Sequence, residues 1–280
     1  MRNLQGRTAL VTGASKGIGV HIARALANEG MNLILAARSA EKLERVAEDL
    51  RATGCRVLCI RADLSDRPSL EMLAERAEQE QGGIDLLVNN AGTEQWSAFD
   101  QLPVEAIDRI VAINLNAPMV LSRLLLPHMI RRGRGHIVNV SSVAGLGGIA
   151  YAEPYCATKH GLVGFTRSFR ATALSEGYPV SCSVICPGLV ADAGMYDDVR
   201  REFDIEAPRL IGTSRPEKVA RAVVRAVKRD LPEVVVNPTP IRPLVALALF
   251  APRLALRLIM KLGGKFFRTV AKQRTRGPSS

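Results

Sequence analysis

Aromatic side chains are scarce in this 280-residue chain, at 4% Phe, Trp and Tyr, although 47% of its residues are hydrophobic. Its core must be filled mainly by Ala, Val, Leu and Ile, which suits strands covered by helices on both faces. The length allows one substantial core with room for an appendage. Cysteine is an odd five (Cys55, Cys59, Cys156, Cys182 and Cys186), with no CxxC or other metal-ligand spacing. That argues against a disulfide framework and against a metal centre. Four of the five fall in strand-like stretches and read as small buried hydrophobes of a reducing compartment. No signal-peptide pattern precedes the strand-like "RTALVTG", so a cytoplasmic location is expected. Internal repeats and a second catalytic domain are also lacking.

Acidic residues are absent from Val234 onward, where nine Lys and Arg occur (Arg242, Arg253, Arg257, Lys261, Lys265, Arg268, Lys272, Arg274 and Arg276). This segment supplies +9 of the formal +11, leaving a nearly neutral body with a basic tail. The expected division is a body at 1–238 and an amphipathic helical extension at 239–280. In the tail Arg253, Arg257, Lys261 and Lys265 recur every fourth residue, with Leu254, Leu256, Leu258, Ile259 and Leu262 between them. A membrane span needs about 18–20 apolar residues, but only ten separate Arg242 from Arg253, and Pro252 interrupts further. Peripheral, in-plane binding of 243–276 to an anionic membrane fits this pattern. A cover over a pocket or subunit interface is the alternative. Nucleic-acid binding is not expected, because the basic run is leucine-rich and no recognition module is present.

Short apolar runs alternate with helical patterns along the body. The runs begin with residues 7–12 and "NLILAA", and continue through "RVLCIRADLS", "IDLLVNNAG", "GHIVNVSS", "VSCSVICPG" and "PEVVVNP". Helices are expected at 39–54, closed by Gly54, then from Pro68, over 103–131 and over 155–176. Ser214 and Glu217 have capping-box spacing ahead of a last helix reaching Arg229. The stretch after Gly188 reads as irregular. Seven strands alternating with helices predict an α/β fold with one parallel sheet wrapped on both faces.

In "TGASKGIG", Gly13, Gly17 and Gly19 lie between the first strand and the first helix. Glycines there let the backbone turn sharply and approach a pyrophosphate, whose charge the helix N-terminus favours. The end of the second strand, "ILAARSAEK", has Arg38 where an acid would select NAD, and Lys16 adds a cation in the turn. A guanidinium matches a 2′-phosphate with forked donors, so NADP(H) is the expected cofactor. Both cations also read simply as solvated surface charges.

"YAEPYCATK" holds two tyrosines, but only Tyr155 has a lysine four residues on, at Lys159. In a helix this spacing puts phenol and ammonium on one face. Tyr151 has no basic residue at either helical spacing and serves as an internal control. At ~4 Å and an effective dielectric of ~20, the pair would interact by about 4 kcal/mol. That corresponds to lowering the phenol by roughly three pH units at most, before any burial cost. His21, His128, His136 and His160 show no convergent catalytic pattern.

These stretches together resemble the short-chain dehydrogenase/reductase family, over about residues 5–236. The resemblance is carried by "TGASKGIG", "ADL" (62–64), "NNAG" (89–92), "INL" (113–115), "VSSVAG" (140–145), "YCATK" (155–159) and "PG" (187–188). It implies a single Rossmann-like, doubly wound, seven-stranded parallel sheet flanked by helices. It further implies a catalytic tetrad of Asn114, Ser142, Tyr155 and Lys159, with Ser142 rather than Ser141 because it lies 13 residues before Tyr155. Asn114 would help hold a water in a proton relay, and Asn89 would support the sheet beside the cofactor. Cofactor contacts would come from Gly13, Ser15, Lys16, Gly17, Ile18, Gly19, Arg38, Asp63, Leu64, Asn90, Ala91, Gly92, Tyr155, Lys159, Pro187, Gly188 and Val190. Asp192 departs from the pattern, standing where the family often has a threonine, and would add negative charge near the nicotinamide. Ser142 could instead cap a turn, and Asn114 could be a polar core residue at a helix kink.

Segments reaching the carboxyl edge of the sheet supply the pocket, with Trp96, Leu146, Ile149 and Met195 as apolar lining beside Ser142. The expected activity is NADP(H)-dependent transfer of a hydride to or from a lipophilic ketone, aldehyde or secondary alcohol. A catalytically idle NADP-binding regulator of the same fold is the alternative. Pairing through the helices at 103–131 and 155–176 would give a homodimer or homotetramer.

Overall fold

A computed structural model describes residues 1–79, 82–208 and 211–276. Seven strands form one all-parallel sheet. They are β1 (Thr8–Thr12), β2 (Asn32–Ala37), β3 (Val57–Arg61), β4 (Leu86–Asn89), β5 (Gly135–Val140), β6 (Val180–Pro187) and β7 (Glu233–Val236). Their spatial order is β3-β2-β1-β4-β5-β6-β7. Every residue of β1, β4 and β5 is buried. Both faces are covered, so no polar alternation marks these strands.

The connecting helices are α1 (Ile18–Asn28), α2 (Ala40–Arg51), α3 (Arg67–Gln79), α4 (Val104–Val111), α5 (Ala117–Arg131), α6 (Glu153–Ser175), α7 (Met195–Phe203) and α8 (Pro216–Arg229). Successive β1 residues feed opposite layers. Val11 packs with Ile22 of α1, Leu43 of α2 and Val223 of α8, whereas Leu10 packs with Leu73 of α3 and Leu125 of α5. A π-helical turn at Ala112–Asn116 joins α4 to α5. The combined helix Val104–Arg131 is the one described helix long and apolar enough to cross a membrane, and half of that stretch is buried in the body. The chain leaves β1 toward β2 on one side and returns to β4 on the other. This reversal opens a crevice at the carboxyl ends of the strands, where sheets of this kind bind ligands.

Three local expectations change. The stretch after Gly188 contains α7, whose buried apolar residues are only Tyr196 and Val199, too few to show a helical period. The N-cap of α8 is Arg215 rather than Ser214. Ser214 instead bridges to Val190, and its backbone exchanges hydrogen bonds with Leu189 and Ala191. Cys55 precedes β3 and is only half-buried, like Cys59, while Cys156, Cys182 and Cys186 are buried; all five thiols are free.

The tail forms α9 (Arg242–Phe250) and α10 (Pro252–Arg276). Along α10 the buried residues Gly263, Phe266, Phe267, Val270 and Ala271 follow helical spacing. Phe266, Phe267 and Val270 join Trp96, Tyr196 and Val199 in a third apolar cluster above the crevice. The inner face of the tail is therefore a cover over the pocket. The Arg276 side chain and residues 277–280 lie outside the described residues.

Candidate active site

At the end of β1 the chain turns into α1 through Gly13, where φ is +67° and a Cβ would lie 2.8 Å from the Ala91 backbone. Gly17 is the N-cap of α1, and no side chain caps this helix. Its first-turn N–H groups therefore remain available as donors at the positive end of the helix dipole, a ready anion site. Thr12 Oγ1 accepts from Asn90 N at 3.0 Å and Ala91 N at 3.1 Å, fixing the end of β4 against the turn. Asn90 Nδ2 donates to Thr12 O at 3.0 Å. Asn89 Nδ2 donates to Asn139 Oδ1 across the sheet at 2.9 Å.

A cleft of about 530 Å³ opens along this edge. Its wall includes Gly13, Ser15, Lys16, Gly17, Ile18, Arg38, Asp63, Leu64, Asn90, Ala91 and Gly92 from the first half of the chain. Pro187, Gly188 and Val190 come from the end of β6. Gly19 is different: a Cβ there would collide with Gly13 O and meet Asn90 Nδ2, so its role is to let α1 close on the turn. It is not part of the cleft wall. Lys16 is not a free cation either, because its Nζ lies 2.8 Å from Asp198 Oδ2 in an exposed pair across the cleft mouth. Such a pair contributes roughly 0–1 kcal/mol and yields readily to a stronger anion. Arg38, exposed at the end of β2, makes no ion pair among the described residues. The nearby Asp63 carboxyl accepts from Ser65 Oγ at 2.7 Å and Ser65 N at 2.9 Å, which holds it below the usual carboxylate range.

Ser142, Tyr155 and Lys159 meet on the cleft wall. Ser142 follows β5 as the N-cap of a short 3-10 turn, accepts from Ala144 N at 3.1 Å, donates to Pro187 O at 3.4 Å and lies close enough to the Tyr155 side chain to act on it. The adjacent Ser141 points elsewhere and donates to Lys159 O at 2.9 Å. Tyr155 and Lys159 share a face of α6, but the ammonium does not sit at the hydroxyl. It lies 5.5 Å from the Tyr155 ring centroid and donates to Val140 O at 3.0 Å.

The expected acidification of the phenol is therefore reversed. Burial pushes Tyr155 above its ordinary value of 10, and the Glu94 carboxylate adds to the rise; the nearby Ser142 hydroxyl works the other way. Burial lowers Lys159 from 10.5 to about 8. Desolvation outweighs the charge pair that spacing alone suggests. Tyr155 is thus a protonated phenol at neutral pH.

Asn114 sits in the π-helical turn, a feature that often marks functional sites. Its side chain both accepts from Thr93 N and donates to Thr93 O, each at 2.8 Å, and approaches Thr158 Oγ1 at 3.3 Å. These bonds clamp the segment that carries Gly92 to Trp96. Both polar groups of this buried side chain are taken up by protein partners.

Trp96, Ile149 and Met195 line the cleft, and Met195 Cε reaches within 3.2 Å of a Cβ built on Gly92. Leu146 does not line it. The 3-10 turn directs Leu146 into a cluster with Val163, Val184 and Cys186. Asp192 also turns away: its φ is +61°, and its carboxylate pairs with Arg200 at 3.2 Å, outside the cleft.

Several wall residues carry no signal in the sequence. Phe266, Phe267, Val270 and Arg274 of α10 enter the cleft, with Glu94 opposite. Phe267 stacks on Trp96 at 5.5 Å and an interplanar angle of 4°. Arg268 Nε donates to Tyr151 OH at 3.1 Å, so the tyrosine without a local base finds one from the tail. Burial raises the Glu94 carboxyl, while Trp96 and the Arg274 charge pull it down. Trp96 Nε1 is close enough to act on that carboxylate but is not aligned for a hydrogen bond.

A phosphate-binding turn, an edge cation and a Ser-Tyr-Lys cluster on one crevice define the class of a nicotinamide-dependent oxidoreductase. The family model described as short chain dehydrogenase matches residues 7–203, and the chain belongs to that family. It is 42% identical over 241 residues to the ketoacyl reductase HetN of Nostoc sp., covering 86% of this chain and 82% of the relative. Among solved structures, a short chain dehydrogenase/reductase from Burkholderia phymatum in complex with NAD superposes with a TM-score of 0.80 at 28% identity. That match covers 91% of this chain and 96% of the other. A variant of the actinorhodin polyketide ketoreductase with NADPH gives a TM-score of 0.76 at 30% identity, covering 84% and 97%.

Proposed function

We propose that this oxidoreductase uses NADPH to reduce a lipophilic ketone or aldehyde to the alcohol, with Tyr155 as the proton donor. The observation that carries the reading is the convergence of Ser142, Tyr155 and Lys159 on one wall of the cleft, with the phenol held protonated. A bound nicotinamide supplies the hydride. Ser142 Oγ hydrogen-bonds the carbonyl oxygen and orients it. Tyr155 OH gives its proton to the same oxygen as negative charge develops there. Lys159, ammonium below about pH 8 and held by Val140 O, supplies positive charge beneath the phenol and steadies the phenolate left behind.

The turn at Gly13 and the uncapped start of α1 fit the pyrophosphate. Arg38 fits a 2′-phosphate, since it has no ion-pair partner among the described residues and β2 ends without an acid. Apolar Trp96, Ile149, Phe266, Phe267 and Val270 support a lipophilic substrate, as does the likeness to ketoacyl and polyketide reductases. The Glu94 end of the pocket, close enough to act on Tyr155, is polar: Glu94 Oε1, Trp96 Nε1 and Arg274 Nε are buried without hydrogen-bond partners among the described residues. Glu94 and Arg274 offset each other's charge, so that end suits a neutral group with both donor and acceptor, such as a hydroxyl or secondary amide.

The test is NADPH against NADH oxidation over a panel of acyl, steroidal and aromatic ketones, with Arg38→Ala alongside. The charge-assisted contact is worth about 1.5–3 kcal/mol, so Arg38→Ala should raise KM for NADPH roughly 10- to 150-fold and leave NADH little changed. Equal loss with both cofactors would overturn the 2′-phosphate assignment. NADPH binding without turnover across the panel would overturn the reductase reading.

A further inference from the structure

The apolar stripe that seals the cleft does not stop at the edge of the body. Phe267 and Gly263 are buried, but Met260 and Leu256, which continue the same stripe at i−3 and i−4 steps, are 39% and 58% exposed. Leu254, Leu258 and Leu262 form a second exposed row on another face of α10, among Arg257, Lys261 and Lys265, and Leu249 and Phe250 at the end of α9 are 80% and 88% exposed. Together they expose more large apolar side chains than soluble surfaces usually carry without a partner. Arg253, Arg257, Lys261 and Lys265 flank it, all exposed, and no acidic residue occurs anywhere after Glu233.

We propose that α9 and the first half of α10 dock in the plane of an anionic lipid surface. The Leu254–Leu258–Leu262 row and Phe250 enter the acyl boundary, and the four cations engage the headgroups. Charge complementarity selects this occupant. A second copy of the chain would set two acid-free, basic patches against each other, whereas anionic lipid neutralises them. The geometry also links membrane to pocket, since one helix offers Phe266 and Phe267 to the cleft and the Leu254–Leu258–Leu262 row to the bilayer. A lipophilic substrate would have a short apolar path between them, a consequence that rests on the proposed function, whereas docking itself does not.

The experiment is co-sedimentation of the full-length protein with phosphatidylcholine vesicles, with and without phosphatidylglycerol. Two variants accompany it: Arg253→Glu/Arg257→Glu/Lys261→Glu, and Phe250→Ser/Leu254→Ser/Leu258→Ser. Binding should require phosphatidylglycerol, weaken with salt, and fall at least about tenfold in either variant, given roughly 1 kcal/mol per basic residue near the surface. NADPH oxidation with a small soluble ketone should be unchanged in both variants, which reads the function separately. Equal binding to neutral vesicles, or none to anionic ones, overturns the proposal. So does a dimer in sedimentation velocity that the serine variant dissociates, because the patch would then be a self-association face.

Discussion

Phe267→Ala tests whether the tail helix is a working wall of the pocket. The ring is 6% exposed, stacks on Trp96 and meets Phe266 edge-on at 5.1 Å. Removing a buried Phe costs about 3–5 kcal/mol where the site cannot collapse. The cover is anchored mainly by Phe266, Phe267, Val270 and the Arg268–Tyr151 hydrogen bond. Each large buried side chain contributes about 1.5–3 kcal/mol of transfer energy, so deleting one ring removes a third or more of the anchorage. A loss near 3 kcal/mol lowers the docked-to-undocked ratio by roughly two orders of magnitude. The variant should then show faster tryptic cleavage at Lys265, Arg268 and Lys272, and KM for a lipophilic ketone raised about tenfold or more. Because Phe267 is remote from Gly13 and Arg38, KM for NADPH should move by less than about threefold. Unchanged protection together with an unchanged ketone KM would refute the reasoning. A matching collapse of NADPH binding would show general unfolding instead.

Gly13→Ala places a methyl 2.8 Å from Ala91 Cα at positive φ, with only backbone to yield; it should abolish NADPH fluorescence quenching and lower thermal stability by about 1–3 kcal/mol. The reduction rate should hold up to about pH 8 and fall above it, as Lys159 loses the proton its burial already disfavours; a kcat profile flat to pH 10 would contradict that role. Glu94→Gln removes a charge that raises Tyr155, so the rise of alcohol oxidation with pH, which needs phenolate, should move to lower pH; an unmoved limb would place Glu94 outside the proton-transfer site.

The sheet was legible because buried parallel strands appear as apolar runs, and each turn at the functional edge keeps its glycine or polar residue in strict order after a strand. Position along the chain was therefore readable, and direction often was not. Leu146 follows the same strand as Ser142 yet faces another layer, because a 3-10 turn rotates it. Glu94 looks like an ordinary polar loop residue until Arg274, far away in sequence, is laid against it. The periodicity of the tail revealed two faces without saying which one was covered. Spacing placed Tyr155 and Lys159 together but carried no information on burial, and burial sets the sign of both shifts.

The most direct test of the account is single-turnover reduction of a lipophilic ketone by Tyr155→Phe, with NADPH binding followed in the same samples. The account predicts binding within about threefold of wild type and a rate at least about a hundredfold lower, the usual worth of a positioned proton donor. Undiminished turnover in that variant would contradict it.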